Sequence, residues 1–225
     1  MRGVFFYVMH LYNKFLDQFK STVANANRDI SDIELIAVSK KKSSEEIQEV
    51  IEAGHLSFGE NQIQEVENKW IALKEKFPDI KLHFIGGIQS NKVKSIFQNC
   101  DVIHSIDRMK IVKIFNELEN QNHTPKEYFI QVNIGDEDQK SGVKLSEADE
   151  FISACIKNYS LNINGLMCLP PLDSNPEIYF TKLREIGKKH NLSKLSMGMS
   201  GDFKEAIECG ATHIRIGTQI FGPRN

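Results

Sequence analysis

One feature constrains the fold of this chain more than any other: short apolar runs alternate with amphipathic stretches of helical spacing along nearly its whole length. The pattern predicts strands over 35–40, 56–59, 81–86, 102–105, 128–134, 163–169, 194–196 and 213–216. It predicts helices between them over 62–76, 91–97, 109–118, 148–157, 178–190 and 203–209, with a further helix opened by the capping box Ser43-Ser-Glu-Glu46 and stopped at Gly54. Strands alternating with helices at this spacing pair in parallel through right-handed crossovers, and eight of them suggest a closed (β/α)8 barrel, an α/β fold. Only nine residues follow Ile216, too few for an eighth helix. Leu11, Phe15, Phe19 and Val23 recur every fourth residue ahead of the first strand, and the helix they define is expected to pack in that gap. An open doubly wound sheet is the competing architecture. It calls for a glycine fingerprint after the first strand, and Ser39-Lys-Lys-Lys-Ser43 is nothing like one.

No linker rich in proline, glycine or serine divides the 225 residues, so a single domain over 1–225 is expected, with 1–8 a poorly ordered extension and Met9 an alternative start. Ile51-Glu-Ala-Gly54 and Ile207-Glu-Cys-Gly210 echo each other ahead of short strands, which reads as one helix-stop geometry used twice. The formal net charge of -2 provides no field to collect nucleic acid or anionic lipid. Four cysteines without C-x-x-C spacing and seven scattered histidines argue against a metal centre or a disulfide framework, and point to a reduced, cytoplasmic setting. The apolar run after Arg2 is too short for a signal peptide, and no stretch is long enough to span a membrane.

The first strand ends in Lys40. An amine at the carboxyl end of a strand buried on both faces sits where apolar walls meet a ligand pocket, and desolvation there makes a lysine nucleophilic. The competing reading is a solvated basic loop, because Lys41 and Lys42 follow. In a barrel, phosphate is commonly held by the loops after strands seven and eight. Here those loops are Gly198-Met-Ser-Gly-Asp202, opening a helix, and Arg215-Ile-Gly-Thr218. Read blandly, the first is a helix capped by Ser200 or Asp202 and the second a strand-end turn. Arg215 favours a site, because a charge inside an apolar strand requires a partner or a polar ligand. Asn61, Gly86 to Lys92 and Asn133 are further polar strand ends, His83 reads as a hydrogen-bonded core histidine, and 136–142, containing Lys140, reads as a solvated lid.

Ala37-Val-Ser-Lys40, Phe58-Gly-Glu-Asn61, His83-Phe-Ile-Gly86 with Gln89-Ser-Asn-Lys92, Lys140-Ser-Gly142, Gly165-Leu-Met167, Leu195-Ser-Met-Gly-Met-Ser200 and Arg215-Ile-Gly-Thr218 with Ile220-Phe-Gly222 occur in an order and spacing that resembles the pyridoxal phosphate homeostasis proteins. That family is similar in fold to the N-terminal barrel of alanine racemase. The resemblance implies that Lys40 binds pyridoxal 5'-phosphate as a Schiff base. It implies that Ser200, Gly217 and Thr218 hold the phosphate, that Asn61 and Met199 line the ring, and that Arg215 faces the pyridine nitrogen. A guanidinium keeps its proton and cannot accept another, so such a cofactor is a weak electron sink. Gly87 and Cys168 depart from the family pattern, and the Met1 to Tyr7 extension has no counterpart in it.

Two functions follow from the resemblance. The first is a monomeric carrier or regulator of pyridoxal phosphate without turnover, with transient transfer of the cofactor to apo-enzymes. The alternative is an amino-acid racemase, which needs acid–base groups on both faces of the substrate carbon, one of them a tyrosine from a partner chain's second domain. No such domain is expected within 225 residues. A Schiff-base aldolase is a third, fold-only option and lacks the match at Ser39-Lys40, Phe58-Gly-Glu-Asn61 and Arg215.

Overall fold

A computed structural model of the chain describes the backbone of residues 2–223 and the side chains from residue 7 onward. Nine strands form one all-parallel sheet: β1 (Glu34–Val38), β2 (Ser57–Glu60), β3 (Lys81–Phe84), β4 (Val102–Ile106), β5 (Glu127–Asn133), β6 (Val143–Lys144), β7 (Ile163–Cys168), β8 (Lys194–Ser196) and β9 (His213–Ile216). β1 pairs with both β2 and β9, and β4 with β5, so eight strands close on themselves. β6 is an addition the sequence does not announce. It is two residues on the outer end of β5, Val132 opposite Val143, and it anchors the return of the 136–142 loop.

The helices follow the strands in turn: α2 (Ser44–Glu52), α3 (Ile63–Glu65), α4 (Ile71–Lys76), α5 (Val93–Asn99), α6 (Met109–Asn122), α7 (Ala148–Asn158), α8 (Pro176–Lys189), α9 (Phe203–Glu208) and α10 (Thr218–Phe221). α2 carries the expected capping box, with Ser43 Oγ accepting from Glu46 N–H and the Glu46 carboxylate accepting from Ser43 N–H. Gly54 at φ +92 and Gly210 at φ +96 both make the left-handed stop, and the next N–H reaches back to Val50 and Ala206 respectively. The predicted single helix over 62–76 is broken instead by a π-helical turn, Val66–Trp70, between α3 and α4.

α10 is one turn long, and α1 (Arg2–Asn25) fills the place of an eighth helix, touching α2, α9 and α10. Arg28 donates to the Ile207 and Ala211 carbonyls at the end of α9, while Tyr7 packs on Gly222. Of the segment 1–8, Met1 lies outside the described residues, the backbone of 2–8 is continuous with α1, and Val8 is buried.

The main apolar core lies between barrel and helices, where Leu35, Ala37, Ile103, Ile130, Ile214 and Ile216 meet Phe15, Ile47, Trp70, Phe115 and Phe180. The alternate residues face inward, and many are polar. His83, His104 and His213 meet Phe129 inside the barrel, His104 stacking on Phe129 with ring centroids 4.4 Å apart. His83 is thus the buried, hydrogen-bonded histidine the sequence suggests.

This interior predicts acid lability. His55, wedged edge-on against Tyr12 and Phe58, has its pKa lowered by burial from 6.5 to about 4. Burial lowers those of His83 and His104 as well. The unfolded chain therefore binds more protons than the folded one below about pH 6.5, so this stability is complete above that pH and is lost toward pH 4. Glu34 adds a second loss. Burial raises its pKa, but hydrogen bonds from His213 and His83 outweigh that and hold the carboxyl far below the usual range, so its contribution drains away below 4.5. The urea midpoint is expected to fall continuously from pH 7 to pH 4; a flat profile would refute this account.

Candidate functional site

The carboxyl ends of the strands surround a cavity of about 570 Å³. Its wall takes Lys40 from the loop after β1, Asn61 after β2, Gly86 and Gly87 after β3, and Gln131 and Asn133 from β5. Met167 and Leu169 come from β7 and its end, Met199, Ser200 and Gly201 from the loop after β8, and Arg215, Gly217 and Thr218 from β9 and beyond. Lys140 lines it from the loop after β5. All seven residues singled out from the sequence, Lys40, Asn61, Met199, Ser200, Arg215, Gly217 and Thr218, therefore meet at one cavity.

β1 stops at Val38, two residues before Lys40, and the chain turns at once. Lys42 N–H donates to Ser39 O, and Lys41 takes the left-handed conformation at φ +61. The three consecutive lysines consequently diverge. Lys40 lines the cavity. Lys41 gives its N–H to Glu65 Oε2 at 2.7 Å. Lys42 Nζ donates to the Phe221 and Pro223 carbonyls at 2.8 and 3.1 Å, closing the end of α10.

Beneath this turn lies an ion pair that the sequence does not signal. Glu60 is fully buried, and its Oε1 accepts from Ser39 Oγ at 2.7 Å, Lys69 Nζ at 2.8 Å and Trp70 Nε1 at 3.2 Å. Lys69 also donates to the Ser39 and Lys42 carbonyls, so one ammonium holds both ends of the turn that carries Lys40. Lys69 and Trp70 are consecutive, and the π-helical turn Val66–Trp70 is where both of them reach Glu60. π-turns are recurrent at functional sites for this kind of reason. Helical periodicity alone cannot reveal such a pair, which joins the end of β2 to residues 9 and 10 positions further on.

Beside this turn, at the end of the neighbouring strand β9, Thr218 Oγ1 donates to Ser200 Oγ at 3.2 Å and Gln219 Nε2 to Ser200 O at 2.8 Å, which joins the two loops expected to hold phosphate. Neither Ser200 nor Asp202 caps α9. Asp202 Oδ1 accepts instead from Met199 N–H at 2.6 Å, within the loop itself. A Cβ on Gly86 would lie only 1.9 Å from Asn61 O, too close for a side chain, and one on Gly217 would make a tight contact of 3.3 Å with Val38 O. Asn61 Oδ1 is buried at this wall with no hydrogen-bond donor.

Arg215 is 4% exposed. NH1 donates to Ser196 Oγ at 2.6 Å and NH2 to Cys168 O at 3.0 Å, and among the described residues no carboxylate lies within ion-pair distance. A buried guanidinium held from behind in this way has donors left for a ligand. The cavity thus offers an amine, a cluster of hydroxyl and backbone donors, and a fixed cation on one rigid frame. Lys92 and Gln89 belong to a separate, smaller pocket.

A family model described as the alanine racemase N-terminal domain matches residues 15–225. An Escherichia coli protein called pyridoxal phosphate homeostasis protein is 35% identical over 227 residues, covering 97% of each chain. The solved structure of PipY from Synechococcus elongatus with PLP bound has a TM-score of 0.79 and 30% identity over 90% of this chain and 99% of that one. The fold alone is shared with alanine racemase from Corynebacterium glutamicum, at TM-score 0.64 and 18% identity, over 90% of this chain and 61% of the racemase.

Proposed function

Because the chain belongs to the alanine racemase N-terminal domain family, and within it to the pyridoxal phosphate homeostasis proteins, we propose that it binds pyridoxal 5'-phosphate covalently through Lys40 and serves vitamin B6 homeostasis without catalytic turnover. The observation that carries this reading is the convergence of Lys40, Arg215 and the joined Ser200 and Thr218 loops on one cavity. The residues fit the cofactor: donors for a phosphate, a buried Asn61 acceptor without a donor, and the Lys40 amine line one cavity.

When bound, the cofactor supplies an aldehyde carbon to which a lysine amine adds with loss of water. Ser200, Gly217 and Thr218 bind the phosphate, and Asn61 and Met199 fix the plane of the ring. Arg215 donates to the pyridine nitrogen and, being unable to accept a proton, leaves it unprotonated, which suits a holder better than a catalyst. The titratable groups on the described wall are Lys40, Lys140 and Arg215. Lys140 is tied to Glu137 Oε2 at 2.5 Å and Pro170 O at 3.0 Å, away from the free role that racemisation asks of a second acid–base group.

On this reading the whole chain is one cofactor-binding barrel, a cytoplasmic monomer that hands its cargo transiently to apo-enzymes. No described helix is long and apolar enough to cross a membrane, and the four cysteines are free. Borohydride treatment of protein loaded with pyridoxal phosphate, followed by peptide mass spectrometry, is expected to place the reduced adduct on Lys40. An adduct found only on other lysines, or none, would overturn the proposal. Incubating loaded protein with L-alanine is expected to yield no D-isomer, whereas sustained D-alanine formation would establish the racemase alternative.

A further inference from the structure

Hydrogen bonds run unbroken through the barrel from one mouth to the other. Glu34 opens β1 at the amino-terminal mouth, where its side chain is 25% exposed. Its Oε1 lies 2.9 Å from His83 Nε2; His83 Nδ1 lies 2.9 Å from His104 Nε2; His104 Nδ1 lies 2.8 Å from Ser196 Oγ; and Ser196 Oγ lies 2.6 Å from Arg215 NH1 at the cavity. The four bonds cross the inside of the barrel between β1, β3, β4, β8 and β9.

The two ends define one arrangement in which every group between them both accepts and donates. A guanidinium only donates and a carboxylate only accepts. Arg215 therefore donates to Ser196, whose hydroxyl donates to His104 Nδ1. His104 must then carry its proton on Nε2 and donate to His83 Nδ1, and His83 must carry its proton on Nε2 and donate to Glu34. Ser57 Oγ, which also contacts His83 Nε2, donates to the same Glu34 oxygen at 2.8 Å and leaves this direction unchanged. A second proton on either ring would put a proton on His104 Nδ1 and take from the Ser196 hydroxyl its acceptor in the chain. Proton conduction is excluded as the purpose, because Arg215 has no proton to release at neutral pH. What remains is alignment: four dipoles in one direction, each strengthening the next in a dry interior.

Resting on the reading that the cavity holds pyridoxal phosphate, we propose that Glu34, His83, His104 and Ser196 are positioning residues for Arg215. They would clamp its guanidinium from behind and partly balance its charge from the far mouth of the barrel. Burial, the largest cause, lowers the pKa of both rings against the opposing pull of Glu34, and Lys81 and His213 at His83, and His213 and Arg215 at His104, add to the lowering. The charged and titratable groups around the pair are Glu34 on β1, Lys81 on β3, and His213 and Arg215 on β9. His213 Nε2 stands 3.1 Å from the other Glu34 oxygen.

Nitrogen-15 NMR of histidine-labelled protein without added cofactor reads the chain directly and needs no substitution. Neutral Nε2–H rings at both His83 and His104, unchanged between about pH 8 and about pH 5.5 where an ordinary histidine titrates, are the expected result. A cationic ring or an Nδ1–H tautomer at either position overturns the assignment. In loaded protein, Glu34→Gln and Ser196→Ala each leave Arg215 less balanced, and more positive charge disfavours a protonated nitrogen on Lys40. The pH midpoint of the visible band is therefore expected to fall by roughly half a unit or more in each variant. A wild-type midpoint in either overturns the positioning role, which a purely structural contact would not move. Loss of the band in the wild type itself would refute cofactor binding and leave the NMR result standing on its own.

Discussion

Lys40→Ala is expected to abolish the visible absorbance of protein incubated with pyridoxal phosphate and to leave nothing for borohydride to trap. The phosphate and ring contacts proposed for Ser200, Gly217, Thr218 and Asn61 do not depend on Lys40, so weak reversible binding is expected to persist, with a dissociation constant raised by roughly a hundredfold or more, equivalent to about 3 kcal/mol. Stability is expected to change little, by about 1 kcal/mol or less. The turn around Lys40 is held by backbone bonds and by Lys69, whose partners are Ser39 O, Lys42 O, Glu60 and Glu65. Lys41→Ala and Lys42→Ala are the controls. Both keep the band, and Lys42→Ala lowers the urea midpoint, because it strips the Phe221 and Pro223 carbonyls of their donor. A band that survives in Lys40→Ala would move the site to another lysine.

The second large effect is expected at Lys69→Met. Removing the cation leaves the Glu60 carboxylate buried with only Ser39 and Trp70 to satisfy it, and breaking a buried pair from one side costs about 3–5 kcal/mol. Glu60→Gln in the same background removes the stranded charge while keeping an oxygen for both donors. The double variant is therefore expected to recover most of the lost stability in urea unfolding. Simple additivity of the two single changes would show that the pair is not coupled. Lys69→Met also frees the Ser39 and Lys42 carbonyls, so cofactor retention through dialysis is expected to fall along with stability, although Lys69 does not line the cavity.

The barrel was legible because its signals are periodic. Apolar strands, the Ser43 capping box and the two glycine stops at Gly54 and Gly210 each depend on residues a few positions apart, and the structure uses all of them. The strand ends were legible too, because parallel strands send every such end to one mouth. What the sequence could not display depends on phase or on distance. The π-helical turn at Val66–Trp70 shifts the register of an otherwise regular helix, and no residue type marks it. β6 is too short to carry a pattern. Arg215 stands out as a charge in an apolar strand, yet the strand alternates: His213 and Arg215 face the interior while Ile214 and Ile216 pack outward. Its partners Ser196 and Cys168 come from strands 19 and 47 residues away, a pairing only the closed barrel creates.

The clamp of Lys42 on the last helical turn has a consequence in time. Its acceptors, Phe221 O and Pro223 O, lie 179 and 181 residues further along the chain. Gly217 and Thr218 stand just before them, and the Lys40 turn just before Lys42. The first and last strands must therefore find each other before amine and phosphate wall share a cavity, and contacts of such separation form late in folding. A half-folded chain presents the lysine without the pocket, so the cofactor site proposed for this cavity exists only in molecules whose ring has already closed.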